Sequence, residues 1–255
     1  QLLVGRSDIG NTMVVGDLKN AEFVKMPDNE GPVLRPVESR IASLRDTTHL
    51  LSDVMTIMGD VQAPADLVEL QARLLRISSQ NIQDLSGARD SGVYGRDVKI
   101  TVDEQISVGG WVRGMRSVDI DVISQQDPSV RTDAYLTPVY LHEAGHLSLT
   151  MDVGSVIETI GDNSTMDITT AAAVEVGASL LLNGVDSVMQ LDAGGPLFVL
   201  EGGMIQSTGD NSLMDLSSDD LVSINKGSAL LSGTDYVRVE NPADSTQMIQ
   251  QLVTL

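Results

Sequence analysis

From about residue 97 onward, apolar and polar side chains alternate. Asp97-Val-Lys-Ile-Thr-Val102, Ser117-Val-Asp-Ile-Asp-Val122 and Leu147-Ser-Leu-Thr-Met-Asp-Val153 all follow this rhythm. A period of two puts one set of side chains in a core and the other in water, so these segments are expected to be β-strands. Glycines punctuate them at Gly109-Gly110, Gly194-Gly195 and Gly202-Gly203. Such positions supply tight corners between short strands.

A longer period lies over the short one. Segments starting at Gly154, Gly177 and Gly202 carry Gly, Ser, Met and Ile or Leu at matching offsets. The matched positions are Gly161, Ser164, Met166 and Ile168, then Gly184, Ser187, Met189 and Leu191, then Gly209, Ser212, Met214 and Leu216. The starts at 154, 177 and 202 are 23 and 25 residues apart. A fixed period of this size means one unit stacked on itself. The unit is too short for a helical hairpin and alternates like strand. The predicted fold is therefore all-β: a parallel β-helix, or β-solenoid, with coils of 23–25 residues. Each strand would pair with its counterpart one rung away at a spacing of ~4.8 Å. Met166, Met189 and Met214 should then share one interior ladder, with Ile168, Leu191 and Leu216 beside it.

The pattern divides the chain into a solenoid over residues 92–240, a tail or cap over 241–255, and an irregular region over 1–91. Gly227-Ser-Ala-Leu-Leu-Ser-Gly233 reads as a degraded fourth unit, continued by the strand Tyr236-Val-Arg-Val239. In the first third, Asn11–Val15 and Ser52–Met58 read as strands. Asp66-Leu-Val-Glu69 has the spacing of a helix capping box. The run Leu67–Ile77 offers a helical face (Leu67, Leu70, Leu74) and also alternates, so either a short helix or an early solenoid rung is expected there.

Composition narrows the function classes. The formal net charge is −20, which disfavours nucleic acid and anionic membranes as partners. There are no cysteines, so neither a disulfide nor a thiolate metal site contributes. No apolar run is long enough to span a bilayer. The chain begins at Gln1, as expected of a processed product or a piece of a longer polypeptide. One Trp, four Tyr and two Phe leave the core to Val, Ile, Leu, Met and Ala, as thin aliphatic ladders require. Trp111, after Gly109-Gly110, is read as a packing residue at the end of a rung.

Two motifs carry candidate chemistry. His142-Glu-Ala-Gly-His146 matches H-E-x-x-H, which on a helix binds Zn²⁺ through His142 and His146 with Glu143 as general base. A third ligand would have to be a carboxylate such as Glu158 or Glu175. The strand-like alternation after His146 argues for a turn instead, so a zinc metallopeptidase is the minor alternative. Asp162, Asn163 and Asp167, with Asp210, Asn211 and Asp215, form oxygen-rich turns able to offer ligands to Ca²⁺. Asp and Asn are also ordinary turn residues, and plain turns are the favoured reading.

The units at Gly154, Gly177 and Gly202, the alternation over Asp97–Val122 and the lack of Cys resemble β-helical repeat segments of large secreted bacterial surface proteins, the filamentous-haemagglutinin-like adhesins. This resemblance of texture and period spans roughly residues 92–240. It implies an extracellular or cell-surface structural or adhesive role without catalysis. Self-association into fibres or a surface layer, a longer parent chain, and a glycan or cell-surface ligand are the implied partners. The alternative expectation is a polysaccharide-binding or polysaccharide-cleaving β-helix.

Overall fold

The computed structural model describes residues 2–5, 12–15, 22–24, 33–35, 40–43, 45–78, 92–123, 147–232 and 236–240. No helix occurs among them. The strands β1 (Leu2–Gly5) and β2 (Thr12–Val15) open a coil. The strands β3 (Glu22–Val24) and β4 (Val33–Arg35) pair antiparallel as a separate two-stranded sheet. The next rung is β5 (Arg40–Ala42), β6 (Thr48–Leu51) and β7 (Val54–Ile57). Then β8 (Asp60–Ile77) and β9 (Gly92–Val108) each run through a whole rung. One rung is split between β10 (Trp111–Val122) and β11 (Leu147–Met151). Two rungs follow: β12 (Val156–Thr159), β13 (Thr165–Thr170) and β14 (Ala173–Val176), then β15 (Ser179–Leu182), β16 (Val188–Ala193) and β17 (Leu197–Val199). The last rungs hold β18 (Met204–Ser207), β19 (Leu213–Ser218), β20 (Val222–Ile224), β21 (Ala229–Ser232) and β22 (Tyr236–Glu240).

All strands except β3 and β4 join one 20-stranded sheet, wound into three faces. On face 1, β5 and the first parts of β8, β9 and β10 stack in parallel with β12, β15, β18 and β21. Face 2 runs from β1 and β6 through the middle of β8 and β9 and the end of β10 to β13, β16, β19 and β22. Face 3 runs from β2 and β7 through the ends of β8 and β9 to β11, β14, β17 and β20. The chain is a parallel β-solenoid.

Register makes like residues stack. Val68, Val98, Val118, Met166, Met189 and Met214 form one interior column on face 2. Leu70, Ile100, Ile120, Ile168, Leu191 and Leu216 form the next. Face 1 contributes Val61, Val93, Val112, Ile157, Leu180 and Ile205, and face 3 contributes Leu75, Ile106, Leu149, Val174 and Leu197. All of these are essentially inaccessible to water and belong to one continuous core. Burying each aliphatic side chain is worth about 1.5–3 kcal/mol relative to leaving it in water.

The repeated glycines have two separate causes. Gly154 and Gly202 sit at φ 88° and 81° with open space where a Cβ would go, so backbone conformation selects them. The second column is selected by close approach. A Cβ on Gly209 would lie 1.7 Å from the carbonyl oxygen of Gly184, and one on Gly184 would lie 2.1 Å from that of Gly161. The repeated serine faces inward at the same corner. Ser164, Ser187 and Ser212 are buried; the Ser164 N–H donates to Ser187 Oγ at 3.1 Å, and Ser212 Oγ donates to the Gly184 carbonyl at 2.9 Å.

The short helix expected around Asp66–Ile77 is not there: these residues belong to β8. Val68, Leu70, Ala72, Leu75 and Ile77 point inward, and the backbone pairs with β6 and β7 on one side and β9 on the other. A helix would bury one stripe, whereas the strand buries every second residue and satisfies its backbone from two rungs. Asp66 lies at the bend between two paired stretches, and its carboxylate accepts from Arg96 instead of capping a helix. The rungs also differ in length. Face 1 strands start at 156, 179 and 204, 23 and 25 residues apart, but β9 and β10 start at 92 and 111, 19 apart. The difference lies in the corner after face 1. Five residues separate Thr159 from Thr165, whereas only Arg96 separates Gly95 from Asp97, and only Met115 and Arg116 separate Gly114 from Ser117, so Ser117 pairs with Thr165.

Gly209→Ala is therefore expected to cost on the order of 2–3 kcal/mol, because only backbone can yield to the new methyl. Gly202→Ala should cost about 1 kcal/mol, the strain of a left-handed alanine. Urea denaturation of the two variants tests this; equal losses would contradict the close-approach explanation.

Candidate functional site

The residues singled out by motif do not converge. His142, Glu143 and His146 lie outside the described residues. Their candidate carboxylate partners lie on different faces: Glu158 on face 1 in β12, Glu175 on face 3 in β14. Among the described residues no group of three or more acidic or histidine side chains is placed to hold a metal ion.

The Asp-Asn corners are turns tied to one another by hydrogen bonds between rungs. Asn163, Asp186 and Asn211 occupy one position in successive rungs, at φ 53°, 54° and 56°. Asn and Asp tolerate this left-handed conformation better than other non-glycine residues. Asp162 Oδ1 accepts the N–H of Val185 at 2.9 Å, and Asn211 Nδ2 donates to Asp186 Oδ1 at 3.1 Å. Asp210 lends its carbonyl to the N–H of Asp186 at 2.9 Å. Asp167 and Asp215 stand on the outer side of face 2 with Gln190 between them in the same column. These six candidate calcium ligands are thus split between a corner and a face.

Two clusters that no motif announced are better defined. The first is a groove of about 330 Å³ at the corner of faces 1 and 2, lined by Thr47, Asp66, Arg96, Asp97, Lys99 and Arg116 among others. Asp97 is its buried anchor. Arg116 donates to it through Nε at 2.7 Å and Nη2 at 2.6 Å, Ser117 Oγ at 2.7 Å and Arg96 Nε at 3.1 Å. Arg96 Nη2 continues to Asp66 at 3.1 Å. Burial pushes the Asp97 carboxyl up, but the hydrogen bonds from Arg116, Ser117 and Arg96 outweigh it and hold it below the usual carboxylate range. On the neighbouring stretch of face 2, burial raises Asp119, and Asp167 and Asp121 add to the rise against Lys99. The groove thus holds two guanidinium groups, Arg96 and Arg116, both donating to Asp97, with Asp66 as a second acceptor for Arg96.

The second cluster lies on the outer side of face 1. Tyr94 and Arg113 pair in register, as do Gly92 and Trp111, and Arg113 pairs onward with Glu158. A Cβ on Gly92 would fall 2.2 Å from Trp111 Cδ2, 2.4 Å from Cε2 and 2.6 Å from Cγ. Cδ2 is bonded to three ring atoms, so a point that near can only lie above or below the ring. The indole therefore rests one face on Gly92. Tyr94 flanks it with ring centroids 6.4 Å apart at 59°, and Arg113 Cζ is 5.6 Å from the indole centroid. Arg113 Nε donates to Glu158 Oε1 at 2.6 Å, and its Nη2 reaches the same oxygen. Asn183 Nδ2 donates to Glu158 Oε2 at 3.4 Å, and Thr208 Oγ1 to Asn183 Oδ1 at 3.1 Å. Trp111 opens β10 on its outer side, lying over the preceding rung.

Sequence reasoning reached Trp111, named Glu158 only as a possible zinc ligand, and missed Asp97, Arg96, Arg116, Tyr94 and Arg113. The usable signal was the 19-residue offset from Asp97 to Arg116 and from Gly92 to Trp111, which matches the short rung here.

Replacing Asp97 by Asn should destabilise the protein at pH 7 by about 1.5–3 kcal/mol, the range for hydrogen bonds to a charged group. Because the folded-state pKa of Asp97 is depressed, its contribution is present above the unfolded-state value and fades as pH falls through the folded one. The gap between wild type and Asp97→Asn in urea melts should therefore close in acid; a gap independent of pH would contradict the ionised anchor.

No protein-family model matches this chain, no curated protein does, and no solved structure does.

Proposed function

We propose that this chain is a structural or adhesive β-solenoid that works outside the cell as a rigid rod with outer binding faces, without catalysis. The observation that carries the reading is how the outer charges are used. Arg73 on β8 donates to Asp53 one rung below, at 2.8 and 3.3 Å, and to Glu104 one rung above, at 3.2 Å. Arg96 reaches Asp66, Arg116 reaches Asp97, and Arg113 reaches Glu158, each across one rung boundary. The exposed pair Arg96–Asp66 is worth about 0–1 kcal/mol and those on the buried carboxylates more, and together they brace the stack along its axis. Ionic groups spent on joining rungs suit a strut better than a reaction centre.

Assembly has support at one end of the stack. On face 3 the column Val176, Val199, Ile224 runs from fully buried to 44% exposed. Val222 and Leu230 are likewise only partly covered, while Leu197 and Ile205 one rung below are fully buried. An uncovered rung offers backbone groups and apolar side chains to a further strand, from the same polypeptide or another copy.

Antibodies against the chain should label intact cells of the source organism, and protease shaving of those cells should remove the label. Label found only after lysis would overturn the extracellular role. If copies associate through the uncovered rung, Ile224→Lys should reduce the proportion of elongated oligomers in sedimentation velocity; an unchanged distribution would remove this end from the assembly.

A further inference from the structure

We infer that the chain stacks head to tail on a second copy of itself, the edge formed by β20, β21 and β22 of one copy pairing with the edge formed by β5, β1 and β2 of the next. The inference rests on the assembly reading above and adds to it the partner surface and the polarity of the stack.

Among the described residues each of these six strands has one neighbour in the sheet. On face 1, β21 pairs with β18 and β5 with β8. On face 2, β22 pairs with β19 and β1 with β6. On face 3, β20 pairs with β17 and β2 with β7. A parallel strand needs partners on both sides, so each end of the stack presents a row of unpaired N–H and C=O groups. The core is open at the same places. The interior column of face 1 runs from Ile41 over Val61 at one end to Ile205 and Leu230 at the other. Val61 and Ile205 are fully buried, whereas Ile41 and Leu230 are only partly so. Each end of the column lacks one aliphatic neighbour, and the opposite end supplies it.

Topology sets the polarity. Stacked head to tail, each face of one copy meets the same face of the next, with strand direction and hand unchanged. Turned end over end, two copies circulate in opposite senses. Only one face then meets itself, and face 2 meets face 3, which sets the five residues of β22 against the three of β20. A contact between unlike ends does not close on itself, so it propagates as a filament.

Charge acts in the same direction. Residues 147–232 carry 12 Asp and Glu against the single cation Lys226, whereas residues 40–78 and 92–123 together carry 10 against eight Lys and Arg. The rungs toward β20 are therefore strongly acidic and those toward β5 nearly balanced. Joining two acidic ends brings like charge together, while joining an acidic end to a balanced one avoids this. The register of face 1 then puts Leu230 of one copy over Ile41 of the next, one rung spacing (~4.8 Å) away.

The chain has no cysteine, so introduced thiols report this contact alone. Full-length Ile41→Cys and Leu230→Cys carry different affinity tags and are mixed with oxidised glutathione as the oxidant. On non-reducing gels the mixed disulfide should exceed either homodimer roughly tenfold, because only unlike ends bring two thiols within bridging distance. Adding Ile224→Lys to the Leu230→Cys chain should cut the mixed disulfide roughly tenfold, since the join would bury an unpaired charge. Circular dichroism confirms that the variants fold. A Leu230→Cys homodimer as abundant as the mixed species would overturn the polarity and leave assembly standing. No disulfide in any combination would overturn the contact itself. A mixed disulfide untouched by Ile224→Lys would mark random collision and overturn it as well. None of these outcomes alters the cell-labelling result, so the extracellular role and the stacking fail separately.

Discussion

The structure depends on the register of parallel strands from rung to rung. In a parallel ladder a strand finds the partners for its N–H and C=O groups only on the strands above and below. Once that register is set, residue i of one rung must lie over its equivalent in the next. Aliphatic residues stack inward, and Gly184 and Gly209 stand where backbones of neighbouring rungs approach. A side chain that suits one rung suits its neighbours, and so Met166, Met189 and Met214 recur in one column.

The same constraint makes charge difficult. Stacking like on like would pile up carboxylates ~4.8 Å apart on the outer faces of an acidic chain. The outer column of face 2 shows how this is handled. Lys99, Asp119, Asp167, Gln190 and Asp215 follow one another. Neutral and basic positions interrupt the acids, and where Asp119 and Asp167 do meet, Asp119 is harder to ionise. The corner serines solve a related problem, since an inward polar group must find partners in a nearly dry interior. Ser187 accepts from the Ser164 N–H, and the Ser187 N–H is directed to Ser212 Oγ at 3.4 Å.

Distinct side-chain clusters on such a scaffold arise where a rung departs from its neighbours. In later rungs the outer positions of face 1 carry Ser179, Leu181, Met204 and Gln206, but β9 and β10 place Tyr94, Trp111 and Arg113 around Gly92. The Asp97 groove follows from another local departure, the two-residue corner Met115-Arg116 that replaces the longer corner of later rungs. A regular stack gives stiffness, and its irregular rungs give it distinct surfaces.

Alternation and the repeat of Gly, Ser and Met were enough to indicate strands coiled on one another over Asp97–Val122 and from Leu147 through the units at Gly154, Gly177 and Gly202. Both signals are local and need no knowledge of partners. They left Leu67–Ile77 open, because eleven residues can satisfy a helical stripe and a strand alternation at once; only pairing with β6, β7 and β9 decided for strand. The clusters were out of reach for a similar reason. Arg113 and Glu158 are 45 residues apart, and residues 124–146 break the period between them. Sequence periodicity shows that rungs exist, but which side chains meet across them depends on where each insertion falls and how many residues each corner spends, and only the folded stack fixes that.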